Sequence, residues 1–222
     1  MVIYLKKQLE KSFVPLDSIN NLVDNIVTEN SINKSMNPRI KNYTIFLNFN
    51  YTNIEDYYVK ELKDAFPDEV KSIHIHGELN NAINPVIFGY DDEKDVEFNE
   101  IKNSFDSGYS ENVKTINYTI TGNYNELVKF IENNEYEVYV LGHSCGISDR
   151  TILSKIIDTD NCKSIKIYYY VKDGNSTDHK DKVINISRMF PLNTNIINKI
   201  VPQDKCEELS NIKKLLPDIS IN

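Results

Sequence analysis

Tryptophan is absent from this 222-residue chain, and glycine, proline and cysteine are scarce, at seven, seven and three residues. No stretch approaches the roughly 18 consecutive apolar residues of a membrane span, so no membrane partner is expected. The opening Met1–Gln8 has no apolar core after its charges and no small-residue cleavage site, which argues against secretion. Cys145, Cys162 and Cys206 are odd in number and lack CxxC spacing, as expected of reduced thiols in a cytoplasmic protein. Basic residues are outnumbered 25 to 33 by acidic ones, for a net charge of −8, and the lysines are scattered. Counterion release therefore offers little affinity for a phosphate backbone, and nucleic acid is not an expected partner. Neither GxGxxG nor GxxxxGK[ST] occurs, which removes the two best-defined phosphate cradles.

What is present is an alternation of helical and extended patterns. Residues 3–13 and 16–30 carry apolar positions at helical spacing, among them Leu16, Ile19, Leu22, Val23 and Ile26, with Pro15 between them. Tyr43–Phe49 is a β-branched and aromatic run of the kind buried in a sheet, and Ile54–Phe66 reads as a helix. Further strands are predicted at Val70–Ile75, Pro85–Phe88, Glu135–Leu141 and Ser164–Val171. Helices are predicted at Glu97–Phe105, Asn123–Asn133, Asp149–Ile157 and about Ser176–Met189, with an acidic stretch over Asp91–Glu111. This order predicts one α/β domain over 1–222 whose mainly parallel sheet has helices on both faces. Residues 1–40 form a helical lead-in, 43–171 the sheet core and 172–222 a helical C-terminal segment. In such sheets ligands bind beyond the carboxyl ends of the strands.

Three strand ends carry chemistry: Asn48–Thr52, His74–Gly77 and Gly142–Asp149. Gly77, Gly89, Gly142 and Gly146 all fall at or just past predicted strand ends, where positive φ and close backbone approach are useful. Gly142-His143-Ser144-Cys145-Gly146 matches the GxSxG nucleophile elbow, between a strand and a helix. A serine hydrolase also needs an acid and then a histidine downstream, and the only later histidine is His179, near Asp173 in a polar stretch. His74-Ile75-His76 places two imidazoles on one strand face. They suit a metal only with further ligands, and just His143 and His179 remain. No metal is expected, and one structural and one functional histidine is the favoured reading.

Leu47-Asn48-Phe49-Asn50-Tyr51-Thr52, Ile73-His74-Ile75-His76-Gly77 and Gly142-His143-Ser144-Cys145-Gly146-Ile147-Ser148-Asp149, in this order over roughly residues 44–157, resemble the AbiH family of bacterial phage abortive-infection proteins. The same skeleton is similar to sirtuin-like defence domains that bind and cleave NAD in a Rossmann-like fold. The resemblance implies that His76 is the general base near the nicotinamide ribose and that Asn50 holds that ribose or a reacting water. It implies that Asn48, Tyr51, Thr52, Gly77, Gly142, His143, Ser144 and Asp149 line the nucleotide, with NAD as ligand or substrate and NAD glycohydrolysis as the reaction. Two departures stand out. Thr52 replaces the acid usual in sirtuin-like enzymes, and no Gly-Asn-Gly-Phe-Asp loop precedes Asn48. The reading therefore expects a fold incomplete at its N-terminus. Self-association, or a partner supplying the missing N-terminal segment, would then complete the chain, and the alternative reading is a non-catalytic remnant or subunit.

Overall fold

The computed structural model describes residues 17–36, 43–89, 113–172, 176–190 and 195–209. The predictions for 3–13, Glu97–Phe105, the acidic stretch Asp91–Glu111, Asp173 and the end of the tail lie outside these residues. Helix α1 (Asp17–Met36) runs past the predicted end. It is followed by β1 (Thr44–Asn48), α2 (Asp56–Ala65) and β2 (Val70–His74). Then come α3 (Lys114–Asn117), α4 (Asn123–Asn133), β3 (Tyr136–Val140), α5 (Arg150–Ile157), β4 (Cys162–Ile167), α6 (His179–Met189) and α7 (Asn195–Lys199). A 3₁₀ turn at Ile147–Asp149 leads into α5.

All strand pairing between these elements is parallel, as the alternation of helices and strands requires. Among the described residues it forms two pairs. β1 pairs with β2 from Thr44 opposite Val70 to Asn48 opposite His74. β3 pairs with β4, with a register shift beside Tyr136. The strand predicted over Pro85–Phe88 does not form. Proline cannot donate to a ladder, and the segment makes one backbone bond to the end of β2, from Ile87 N–H to the His76 carbonyl at 2.8 Å.

Alternation along β1 divides two cores, because successive side chains leave opposite faces of a strand. Phe46 joins Val23, Val59, Leu62, Phe66 and Val70 beneath α1 and α2. Ile45 and Leu47 face the larger cluster, where Ile73 and Ile75 meet Leu127 and Ile131 of α4. Val140, Ile152, Ile157, Ile165, Ile167 and Ile186 belong to the same cluster, so both strand pairs share one core. Helices thus cover opposite faces of β1 and β2. No helix among the described residues is long and apolar enough to cross a membrane.

The turn after β2 depends on one glycine. Gly77 has φ +79°, and a Cβ there would lie 2.0 Å from the Pro85 carbonyl oxygen. Positive φ alone costs a side-chain-bearing residue about 1–3 kcal/mol, before the overlap with backbone is counted. Gly77→Ala should therefore lower the urea midpoint by more than that strain alone implies, and a loss under about 0.5 kcal/mol would show that the Pro85 strap moves freely.

Candidate active site around Asp149

The polar groups at the carboxyl ends of β1, β2 and β3 sort into two buried clusters. The first centres on Asp149, the last residue of the 3₁₀ turn. His76 Nε2 lies 2.9 Å from Asp149 Oδ1, and the Lys114 ammonium lies 3.1 Å from the same oxygen. His143 Nε2 lies 3.4 Å from Oδ2. Lys114 also donates to the Ser148 carbonyl at 3.2 Å. Burial alone would raise the Asp149 carboxyl, but hydrogen bonds from His143 and His76 and the Lys114 charge outweigh it and hold Asp149 well below the usual carboxylate range.

The network fixes both imidazoles. The Cys145 N–H donates to His143 Nδ1 at 3.0 Å, so the His143 proton sits on Nε2 and points at Asp149. His76 likewise gives Nε2–H to Asp149, which leaves Nδ1 as its basic nitrogen, 3.4 Å from the Tyr118 hydroxyl. Phe49 packs on both rings, at 5.4 Å from His76 and 4.3 Å from His143. Tyr51 reaches toward the same carboxylate: burial first, and then the Asp149 charge, raise its phenol. A carboxylate that orients an imidazole and stabilises its protonated form is the working part of a general base.

The second cluster holds the turn after β1. Glu55 Oε1 lies 2.5 Å from His74 Nε2, and Asn48 donates to Glu55 Oε2 at 2.5 Å and to the Thr52 carbonyl at 2.9 Å. The Asn50 N–H closes the turn onto Asn48 Oδ1 at 2.7 Å. Burial would lower the His74 pKa, but the hydrogen bond and charge of Glu55, aided by Glu78 and the Asn50 backbone, raise it overall. His74 and Glu55 thus form a buried pair that shapes the loop.

The histidine pair therefore divides, His74 to Glu55 and His76 to Asp149. His76, His143, Asp149 and Tyr51 come together. Asn48 is buried and spent on the turn, and Thr52 contributes its carbonyl there. Asn50 is exposed on the loop, its carboxamide bonded to nothing among the described residues. Gly77 and Gly142 (φ +71°) shape their turns. Ser144 is exposed and stands outside the cluster. Its carbonyl accepts from Asn185 at 3.0 Å. The positive φ that a nucleophile elbow places on its serine falls instead on Cys145, at +54°, whose buried thiol is pushed up to about 11. His179 is buried against Tyr169, with Lys182 and Asp178 as its charged neighbours, so the hydrolase reading lacks its base. Among the described residues no group of histidine, cysteine and acidic side chains is arranged to hold a metal.

Lys114 and Tyr118 escaped the sequence reading. They stand four apart at α3 and its C-terminal end, so both face the cluster. The stretch has no motif to announce them. An open groove lined by Val128, Ile131, Arg150, Ser154, Lys155 and Phe190 lies elsewhere, and none of the cluster's side chains lines it.

The family model described as Bacteriophage abortive infection AbiH matches residues 4–171, a span that holds every member of both clusters. No curated protein and no solved structure matches the chain.

Two stability measurements test the clusters. Asp149→Asn removes a buried anion from three donors and should cost about 3 kcal/mol or more near neutral pH. The wild-type advantage should be complete above about pH 4 and shrink as the pH falls toward the depressed folded value of Asp149. Urea titrations at several pH values showing a constant gap would contradict the ionised hub. The Glu55–His74 pair has the opposite sign. Its contribution, read as wild type against Glu55→Gln, should be greatest between about pH 5 and 6.5 and decline as the pH rises through the raised folded value of His74.

Proposed function

The chain belongs to the AbiH family of bacteriophage abortive-infection proteins, and on that premise we propose that the Asp149 cluster is a sirtuin-like nucleotide site that cleaves NAD. The family assigns the role in abortive infection; the reaction is our reading of the site. The observation that carries it is the His76–Asp149 pair, with Nε2–H on the carboxylate at 2.9 Å and the basic Nδ1 on the far side of the ring.

In this reading the glycosidic bond between the nicotinamide ring and ribose C1′ breaks, and nicotinamide leaves with the bonding electrons. Water attacks C1′. His76 Nδ1 takes the proton released by that water, or by a ribose hydroxyl on the way, and Asp149 stabilises the imidazolium that forms. The products are ADP-ribose, nicotinamide and one proton. Asn50, with a free carboxamide on the loop above, suits the task of orienting the ribose or the water. Tyr118 supplies a hydroxyl beside the base. The donor set fits the ribose end of the substrate. No glycine-rich cradle for its pyrophosphate lies among the described residues.

Induction in cells should deplete NAD with the wild type, and His76→Ala should slow that depletion by about 100-fold or more, the scale of a lost general base. Asn50→Ala should slow it as well. Equal depletion by wild type and His76→Ala would remove the catalytic assignment and leave the family role intact.

A further inference from the structure

Solvent hardly reaches the imidazole of His76, which belongs to a residue only 5% exposed. Its Nε2–H is held by Asp149 at 2.9 Å, and Phe49 packs on the ring edge-on, at 5.4 Å and 72°. The basic Nδ1 faces the Tyr118 hydroxyl at 3.4 Å, and Tyr118 is itself only 4% exposed. A proton bound for Nδ1 therefore meets this phenol first.

Tyr118 is firmly held where it stands. Its N–H closes the end of α3 by donating to the Lys114 carbonyl at 2.9 Å. Lys114, one turn earlier, is anchored through its ammonium to Asp149 and to the Ser148 carbonyl. The phenol ring runs nearly parallel to two neighbours, Tyr124 at 5.8 Å and 7° and His76 at 6.1 Å and 20°. It belongs to the core cluster that also holds Leu127 and Ile131. Residues four apart share a helix face, so α3 grips the His76–Asp149 pair at both ends. Lys114 holds the carboxylate, and Tyr118 meets the basic nitrogen.

The groups around the two rings differ in what they can do with a proton. An ionised Asp149 only accepts, the Lys114 ammonium only donates, and Phe49 does neither. A phenol does both. Toward His76 the Tyr118 O–H donates, because Nδ1 carries the lone pair, and the phenol oxygen keeps lone pairs with which to accept from a second group. A hydroxyl in that position can take in one proton as it hands on another.

We propose that Tyr118 is the proton relay of this site, a catalytic residue standing between His76 and the group that His76 deprotonates. The proposal rests on the NAD-cleaving reading of the Asp149 cluster. As C1′ is attacked, the water or ribose hydroxyl gives a proton to the Tyr118 oxygen while the Tyr118 O–H proton moves to His76 Nδ1. The O–H bonds of the nucleophile and of the phenol break, a new phenol O–H and the Nδ1–H form, and the phenol ends neutral. When the products leave, the imidazolium returns its proton to solvent by the same path, so the overall release of a proton is unchanged.

NAD hydrolysis by the purified full-length chain tests it. Tyr118→Phe keeps the ring and removes only the hydroxyl, and it should lower kcat about 10-fold or more while leaving KM for NAD unchanged. In mixtures of light and heavy water the wild-type rate should curve with the deuterium fraction, as more than one proton in flight requires. The Tyr118→Phe rate should fall on a straight line, a change that a merely structural role would not produce. A variant as fast as the wild type overturns the relay, and a faster one shows that the phenol obstructs Nδ1 and overturns it too. A straight wild-type line, or a curve that survives Tyr118→Phe, has the same force. His76→Ala separates this proposal from the reading beneath it. If the wild type cleaves NAD, His76→Ala does not and Tyr118→Phe is unimpaired, the relay falls and the NAD assignment stands. If the wild type leaves NAD intact, both fall. Should Tyr118→Phe fail to fold, as judged by urea titration, the wild-type dependence decides alone: a curve supports the relay and a straight line overturns it.

Discussion

A single buried carboxylate joins the parts of this molecule that its backbone leaves separate. Asp149 accepts hydrogen bonds from His76 after β2, from His143 after β3 and from Lys114 on α3, while it leads directly into α5. An anion removed from water is costly unless donors replace its hydration, and here three donors from three segments do so. Each donor is in turn held from behind: His143 by the Cys145 amide, His76 by Phe49 and Tyr118, Lys114 by the Ser148 carbonyl. Geometry at the site and cohesion between the strand pairs therefore have a common origin.

The Glu55–His74 pair plays a different part with similar chemistry. It lies beneath the loop and ties β2 to the turn after β1, so that Asn50 and Tyr51 emerge in a defined place. Sequence spacing placed His74 and His76 on one strand face. The strand ends at His74, and the turn that follows sends His76 to Asp149 while His74 stays with Glu55. Two imidazoles separated by one residue thus acquire different partners without sharing a ligand.

Strands and most helices were legible because their signals are local. Asn123–Asn133 carries its apolar face at Leu127, Phe130 and Ile131, and it folds over that range. Val70–Ile75 and Glu135–Leu141 were found to within one residue at either end. Pro85–Phe88 failed as a strand because apolar character alone does not supply a ladder partner. Lys114 and Tyr118 were not legible because their role is set by a contact with Asp149, 35 residues along the chain. The GxSxG pattern misled for a related reason. It specifies glycines around a tight turn but not which residue takes the strained φ, and His143 capping the Cys145 amide accompanies that strain on Cys145.

Among the described residues β1 and β3 share no ladder, which bears on the chemistry as much as on the fold. Ligand sites in parallel sheets form beyond the carboxyl ends of adjoining strands, where backbone pairing sets loop positions. In the described residues that alignment between the two halves rests on side chains, through Asp149 and the Phe49–His143 contact. Positional control of that kind is what general-base catalysis demands, because a base displaced by about 1 Å loses much of its effect. Asp149 therefore sets both the contact between the two halves and the spacing of the groups around it.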